Sequence, residues 1–261
     1  MSLLITEMRE GIFIIKMNSP KNMNALDRAL REELIDVMKK AADDPEVKAV
    51  ILAAEGKGFC AGGDLGAMYR DIKTKGEFGA TDADLVNVEK LAECMRTMDK
   101  PVITAVHGAA AGAGASLAFA GDFTVASPEA KFIIAFVNVG LVPDTGGMFW
   151  LVRALGYKRA TELAMLGEPI SAETALEYGL INKIVPREEL EAEAFKLAKK
   201  LKNKPVDSVR YIKEMVNEMT MKGFWDTMKI EREGFLYCMR TDNFKEGVSA
   251  FVEKRKPEFN K

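Results

Sequence analysis

The chain has 261 residues, with 37 Lys and Arg against 39 Asp and Glu, and a formal net charge of −2. This length accommodates one large domain, or one domain with an appended subdomain. The balanced charge offers no basic excess for nucleic acid or for an anionic membrane surface. Three cysteines without Cys-x-x-Cys spacing argue for a reducing compartment and against a disulfide framework or a zinc site. Acidic residues interrupt the first ten positions, where a secretory segment would stay apolar, so we expect a cytoplasmic protein.

The first two thirds of the chain alternate between short β-rich runs and helical periodicity. Residues 12–17 and 47–53 are typical of strands, and apolar side chains recur at helical spacing from Asp27 to Ala42. Similar patterns predict strands at 102–106, 123–126, 131–135 and 181–185, and helices at 112–120, 146–154, 159–166 and 172–178. Strands separated by helices indicate an α/β fold with largely parallel strands.

Strand patterns end near Arg187, and the rest of the chain is predicted to be helical. Helical periodicity covers 187–202, 206–219, 223–240 and 242–255. We therefore divide the chain into a core of residues 1–200 and a helical region of residues 201–261. Earlier in the chain, the polar, glycine-containing segment from Asp71 to Asp84 is typical of a mobile flap beside a pocket.

Two glycine-rich stretches each follow a predicted strand, at Gly58–Leu65 and at Gly108–Ser116. Backbone N–H groups at such turns and at a helix N-terminus lack internal partners and bind negative charge. Neither a G-x-G-x-x-G dinucleotide motif nor a P-loop is present, so the stretches suit one small oxyanion better than a pyrophosphate. The uncharged run from Pro101 to Gly121 has too few large apolar side chains to span a membrane.

The single histidine, His107, limits the chemistry available to the chain. Triads built on Ser or Cys need an imidazole beside the nucleophile, and only His107 could supply one. It lies in a predicted buried strand that leads into a glycine turn, which favours a structural role.

One carboxylate, Asp144, stands in an otherwise uncharged stretch between Lys131 and Arg153. A single acid in that position suggests chemistry that needs one base. The alternative is a helix cap, because Asp144 precedes a helical pattern and Asp is a favoured N-cap residue. A helix N-terminus would favour the charged carboxylate, whereas an apolar pocket would favour the protonated form.

Five segments occur in a shared order and spacing: residues 18–26 (NSPKNMNAL), 58–64 (GFCAGGD), 107–116 (HGAAAGAGAS), 140–147 (GLVPDTGG) and 250–259 (AFVEKRKPEF). Together they resemble the motifs of the crotonase (enoyl-CoA hydratase/isomerase) superfamily, and the resemblance covers nearly the whole chain. It implies an α/β fold of stacked ββα spiral turns with a C-terminal helical trimerisation region, and hence a homotrimer or homohexamer.

The resemblance also implies the ligand and the groups that hold it. The substrate is expected to be an acyl-CoA thioester, so coenzyme A is part of the substrate and neither a separate cofactor nor a metal is expected. The backbone N–H groups of Gly63 and Ala113 would bind the thioester oxygen. Coenzyme A would be bound by residues of three motifs, with the last reaching a phosphate: Lys21, Met23, Ala25, Ala61, Asp64, Leu65 and Lys254.

The chain departs from the family at two positions where the hydratases carry glutamates, here Ser116 and Phe136. Hydration needs both a base for water and an acid for carbon, so the loss of this pair argues against efficient hydration. The Asp144 motif instead resembles the branch that contains Δ3,Δ2-enoyl-CoA isomerases and the ring-epoxide isomerase of phenylacetate degradation. We therefore expect an enoyl-CoA isomerase that shuttles one proton through Asp144. The alternatives are a hydratase and a non-catalytic acyl-CoA-binding protein, and the identity of the acyl chain stays open.

Overall fold

Nine strands form two sheets within residues 2–261, the part of the chain that this computed structural model describes. The strands are β1 (Leu4–Arg9), β2 (Ile12–Met17), β3 (Ala49–Ala54), β4 (Val102–Val106), β5 (Ala109–Ala111), β6 (Phe123–Ala126), β7 (Lys131–Ile133), β8 (Pro169–Ser171) and β9 (Lys183–Ile184). The larger sheet has the order β1-β2-β3-β4-β6-β9, and all its pairs are parallel except the β1–β2 hairpin. The smaller sheet has the order β5-β7-β8.

Ten α-helices surround these sheets in the described residues. They are α1 (Arg28–Asp43), α2 (Leu65–Lys75), α3 (Asp82–Thr97), α4 (Ala113–Ala120), α5 (Gly147–Leu166), α6 (Ala172–Glu177), α7 (Leu190–Lys202), α8 (Val206–Thr220), α9 (Phe224–Cys238) and α10 (Asp242–Val252). The predicted α/β class with mainly parallel strands is confirmed. No described helix is both long and apolar enough to cross a bilayer.

Helix α1 shows how local sequence determines one of these elements. Asp27 caps its N-terminus, because the side-chain oxygen accepts a hydrogen bond of 2.9 Å from the Leu30 N–H. Leu30, Leu34 and Met38 follow at helical spacing, and all three are fully buried. The apolar face that the sequence predicts is therefore the face that packs into the core.

The core lies on both faces of the larger sheet. On one face, Leu190, Ala194 and Ala198 of α7 pack against apolar side chains of the sheet such as Ile12 and Ile103. The other face belongs to a larger cluster that includes residues of α1, α3, α4, α5 and α9. Residue 200 lies inside α7, and the division into residues 1–200 and 201–261 stays a prediction.

The segment from Asp71 to Asp84, expected to be a mobile flap, is helical for most of its length, and its mobility stays a prediction. Its first five residues end α2, its last three begin α3, and only residues 76–81 are irregular. Gly76 ends α2 in a left-handed conformation with φ +81°. Thr81 and Asp84 form a capping box that starts α3, with side-chain to backbone hydrogen bonds in both directions. These capping signals explain why a polar segment becomes mostly helix.

The predicted helices at 146–154 and 159–166 correspond to the two helical segments of α5, which is broken between them. Gly156 has φ +72° and ψ 178°, so its backbone is not helical. The bounds of the other predicted elements differ by a few residues. Five elements were not predicted: β1, β5, β8, α2 and α3. Only the first residue of β1 is buried. Its sequence therefore lacks the alternation of apolar and polar residues that identifies a half-buried strand.

Candidate active site

The two glycine-rich stretches lie side by side, because their backbones pair like strands. The Phe59 N–H donates to the His107 carbonyl at 2.8 Å, and the Cys60 N–H donates to the Ala109 carbonyl at 3.1 Å. The Ala111 N–H returns a bond of 2.9 Å to the Cys60 carbonyl. This ladder fixes the loop that contains Gly63 against the strand that leads into α4.

Glycine is required where the two stretches approach most closely. A Cβ atom on Gly62 would lie 2.7 Å from the Ala111 carbonyl oxygen and 3.3 Å from the Ala113 nitrogen. A Cβ on Gly114 would lie only 2.3 Å from the Cys60 carbonyl oxygen. The distances of 2.7 and 2.3 Å to carbonyl oxygens are shorter than a Cβ atom tolerates. Larger residues at Gly62 or Gly114 would therefore separate the two stretches.

The backbone N–H groups of Gly63 and Ala113 have no hydrogen-bond acceptor among residues 2–261. Ala113 is the first residue of α4, where an N–H group has no partner within the helix. The helix dipole adds positive potential at the same end. The predicted oxyanion donors thus lie on two backbone segments that the structure brings together, although their role as donors stays a prediction.

Asp144 lies in the turn that leads into α5, and its carboxyl is shielded by protein. Burial raises the pKa of Asp144 to about 6, against opposing effects from the Thr145 hydroxyl and the Arg31 charge. The Thr145 hydroxyl donates to Asp144 Oδ1 at 2.9 Å. Asp144 does not cap the helix. The N-cap residue is Gly146, and no side-chain cap bond is formed there. The capping alternative for Asp144 is therefore wrong.

The two positions that lack glutamates surround the start of α4. Ser116 is fully buried, and a Cβ on Gly147 would lie 2.7 Å from its Oγ. The ring of Phe136 lies 3.7 Å from where a Cβ on Gly112 would be. The first turn of α5, which follows Asp144, therefore packs directly on the helix that begins with Ala113. Neither Ser116 nor Phe136 contributes a carboxylate to this region.

Sequence reasoning missed one carboxylate of the site, Glu231 in the middle of α9. It is buried, with an exposed fraction of 6%. Its two oxygens accept hydrogen bonds from the N–H groups of Gly146 at 3.0 Å and Met148 at 3.1 Å. Burial, reinforced by the Asp144 charge, raises the pKa of Glu231 to about 8. A signal existed in the sequence, because Glu231 shares a helical face with the buried Phe224, Met228 and Phe235.

One cation whose charge acts on Asp144 is Arg31 on α1. Its Nε is buried and has no hydrogen-bond partner among residues 2–261. Burial lowers the pKa of Arg31, and the charges of Asp84 and Asp144 oppose that change. Reciprocally, Arg31 lowers the pKa of Asp144. Arg31 on α1 and Glu89 on α3 therefore shift the pKa of Asp144 in opposite directions.

The single histidine has the structural place that the sequence predicts. His107 is buried, and its Nε2 lies 3.0 Å from the Gly56 carbonyl oxygen. Burial lowers its pKa, which favours the neutral imidazole.

The residues expected to bind coenzyme A fall into two groups. The first motif adjoins the second, because the Ala61 N–H donates to the Met23 carbonyl at 2.9 Å and the Leu26 N–H donates to the Gly62 carbonyl at 2.7 Å. Ala25 is buried beside this contact. Asp64 also caps α2 by accepting a bond of 2.9 Å from the Ala67 N–H, a structural role that the sequence reasoning did not assign.

The charged members of the set lie on the surface. Lys21 and Lys254 are both exposed, and Lys254 forms no ion pair among residues 2–261. The Tyr69 hydroxyl donates to Glu253 Oε1 at 2.8 Å, which ties the segment after α10 to α2. Lys254 thus lies near the helix that begins with Leu65, but coenzyme A binding by this set stays a prediction.

Comparison with known proteins identifies the family. A family model described as enoyl-CoA hydratase/isomerase matches residues 7–261. Trans-2-decenoyl-[acyl-carrier-protein] isomerase of Streptococcus mutans is 40% identical, over 95% of this chain and 94% of that protein. The 1,2-epoxyphenylacetyl-CoA isomerase of Escherichia coli is 35% identical over 99% and 98%. Crotonyl-CoA hydratase of Syntrophomonas wolfei is 36% identical over 98% and 97%.

Solved structures confirm the fold. The crystal structure of an enoyl-CoA hydratase from Mycobacterium avium subsp. paratuberculosis superposes with a TM-score of 0.90 at 30% identity, covering 100% of this chain and 99% of that one. A crystal structure of an enoyl-CoA hydratase/isomerase from Pseudoalteromonas atlantica gives 0.87 at 30% identity. The chain belongs to the enoyl-CoA hydratase/isomerase family and has the crotonase fold.

Proposed function

We propose that this enzyme is an enoyl-CoA isomerase in which Asp144 moves one proton between two carbons of the acyl chain. The observation that carries the proposal is the environment of Asp144. It is a shielded carboxylate with a pKa near 6, while Ser116 and Phe136 replace the two acids expected of a hydratase. A carboxyl with that pKa is a stronger base than an ordinary aspartate and still ionises at neutral pH.

The reaction needs no second acid. Asp144 takes a proton from C2 of a 3-enoyl thioester, and the electron pair moves through the carbonyl to give a dienolate. The N–H groups of Gly63 and Ala113 stabilise the negative oxygen. The Asp144 acid then returns the proton to C4, which leaves the double bond between C2 and C3. Atoms and electrons balance, because the proton that leaves C2 is the one that reaches C4.

Two of the relatives support this assignment by name, since both are isomerases, at 40% and 35% identity. The first acts on an acyl-carrier-protein thioester and the second on a ring epoxide of a coenzyme A thioester. They therefore define the substrates to compare: linear enoyl thioesters on either carrier, and an aromatic epoxide. A hydratase is the second candidate, because a crotonyl-CoA hydratase is 36% identical.

A homotrimer or homohexamer is part of the same proposal. Several large apolar side chains on α8 and α9 are exposed in the single chain: Tyr211, Ile212, Met215, Met219, Trp225 and Ile230. Exposed apolar area of this kind supports burial against further copies.

The proposal is tested by a substrate panel with wild type and Asp144→Asn. We expect wild type to isomerise 3-enoyl-CoA, and Asp144→Asn to lose about 10²–10⁴-fold in kcat, the contribution of a positioned base. Thioester binding should persist in the variant, as measured by calorimetry. Efficient hydration of crotonyl-CoA by wild type would favour the hydratase. Full isomerase activity in Asp144→Asn would contradict the role of the base.

A further inference from the structure

The turn that presents Asp144 has a backbone that is strained without outside support. Thr145 has φ +58° and Gly146 has φ +75°, so two consecutive residues are left-handed. Glycine adopts this conformation readily, but a β-branched residue such as Thr does not. Such a turn persists only where the surrounding structure holds it.

The support comes from α9 and from one side chain of α5. Glu231 accepts from the N–H groups of Gly146 and Met148, one on each oxygen, at 3.0 and 3.1 Å. Trp150 Nε1 donates to the Thr145 carbonyl at 3.0 Å. The Glu231 contacts join segments more than 80 residues apart, as the separations of 85 and 83 show. No other side chain bonds to the N–H groups of this turn within residues 2–261.

Helix α9 reaches the turn because it lacks a side chain at the point of contact. A Cβ on Gly234 would lie 3.1 Å from a methyl carbon of Val142, two residues before Asp144. Phe224 at the start of α9 packs on Phe149 and Trp150, with ring centroids 5.0 and 5.3 Å apart. Helix α9 therefore packs against this region on both sides of Glu231, at Phe224 and at Gly234.

The charges around Glu231 leave the two backbone donors as its principal partners. From α3, Glu89 adds negative potential, although both of its oxygens are 2.7 Å from Arg232. Arg232 also pairs with Asp82 at 2.8 Å. From the α5 turn, Asp144 adds a second negative charge, and Arg31 on α1 acts on Asp144. The Asp144 charge thus disfavours ionisation of Glu231.

We propose that Glu231 is a positioning residue for the reaction: by holding the amides of Gly146 and Met148, it fixes the strained turn and the direction of the Asp144 carboxylate. This inference rests on the proposed function of Asp144. A base must keep its distance to both C2 and C4 through the shuttle, and Glu231 sets that distance from behind the turn. The same contact keeps the Asp144 carboxyl shielded, so Glu231 also maintains its basicity.

The test compares Glu231→Gln with Glu233→Gln, a matched charge change on the exposed side of the same helix. Glutamine can accept from only one of the two amides, since its NH₂ group meets the other as a second donor. We expect kcat for 3-enoyl-CoA to fall about 10- to 100-fold, as displacement of a reacting group by up to an ångström costs, with KM within about threefold. Glu233→Gln should match wild type.

The second readout does not depend on turnover. Carboxyl ¹³C NMR titration, with the Asp144 signal assigned through Asp144→Asn, should show a lower pKa for Asp144 in Glu231→Gln. A looser, more hydrated turn acts in that direction. Glu233→Gln should leave the titration unchanged. If wild type fails to isomerise any substrate, the proposed function fails while the titration still decides whether Glu231 holds Asp144.

A third variant covers the case in which Glu231→Gln does not fold. Glu231→Asp keeps the carboxylate but withdraws it by one methylene, and we expect the same loss of kcat at unchanged KM, with a smaller effect on thermal unfolding. The inference is overturned if the folded variants keep both wild-type kcat and the wild-type titration of Asp144. It is also overturned if KM rises in step with the loss of kcat.

Discussion

The oxyanion half of the site and the Asp144 half obtain their geometry from different sources. Gly63 and Ala113 are positioned by backbone pairing between two local stretches, in which Cys60 bonds to Ala109 and Ala111. Asp144 is positioned by a side chain from a distant helix, Glu231. The first half depends on the absence of side chains, and the second depends on the presence of one. The two halves should therefore fail in different ways when they are mutated.

Among variants that change the surroundings of the site and not Asp144 itself, the largest effect is expected in the oxyanion half, from Gly114→Ala. The new Cβ would lie 2.3 Å from the Cys60 carbonyl oxygen. Because that oxygen belongs to the backbone, it cannot rotate away as a side chain could, and the start of α4 must move. We expect at least about a 100-fold loss of kcat, the scale of losing one oxyanion donor, together with a lower melting temperature. Gly79→Ala is the control, because nothing lies within 4 Å of its Cβ. Wild-type turnover in Gly114→Ala would mean that the close approach is not needed.

A smaller effect is expected in the Asp144 half, from Arg31→Gln. The proposed mechanism requires Asp144 to be ionised, so kcat/KM should rise with pH through about 6. Arg31 lowers the pKa of Asp144, so its removal should move this limb to higher pH and reduce activity more at pH 6 than at pH 8. Glu231→Gln moves the limb in the opposite direction.

The control for Arg31 lies on the same helix. Arg28→Gln removes an exposed guanidinium that pairs with Glu32 at 2.8 Å and should leave the pH profile unchanged. A limb in Arg31→Gln that stays in place or moves to lower pH would show that Arg31 does not act on the base.

The two halves of the site also differ in how far the sequence predicts them. The oxyanion half is predictable because its determinants are contiguous: a strand, a glycine turn and a helix N-terminus occur together at residues 102–120. Asp144 was singled out as the candidate base, since no other acid interrupts its stretch. The contact between Glu231 and the start of α5 could not be deduced from the local sequence, because Glu231 lies more than 80 residues away. Glu231 also stands beside exposed charges, on a helix that carries both apolar and charged residues.

The helical structure of the expected flap has a local physical origin. Polar composition between Asp71 and Asp84 suggested mobility, but Thr81 and Asp84 supply a capping box that nucleates α3. Capping residues are polar by nature, so polarity alone does not separate a loop from a helix start. Within α3, Leu85, Val88 and Leu91 are buried at helical spacing, a signal that the composition of the preceding segment obscured.

The one-base shuttle is tested most directly by following the proton itself. A 3-enoyl-CoA carrying deuterium at C2 is converted in ordinary water under single-turnover conditions, and the 2-enoyl product is analysed by mass spectrometry and NMR. In the proposed shuttle one shielded carboxyl both removes and returns the proton, so we predict that a measurable fraction of the deuterium appears at C4. A product whose new C4 hydrogen comes entirely from solvent would contradict a shuttle through Asp144.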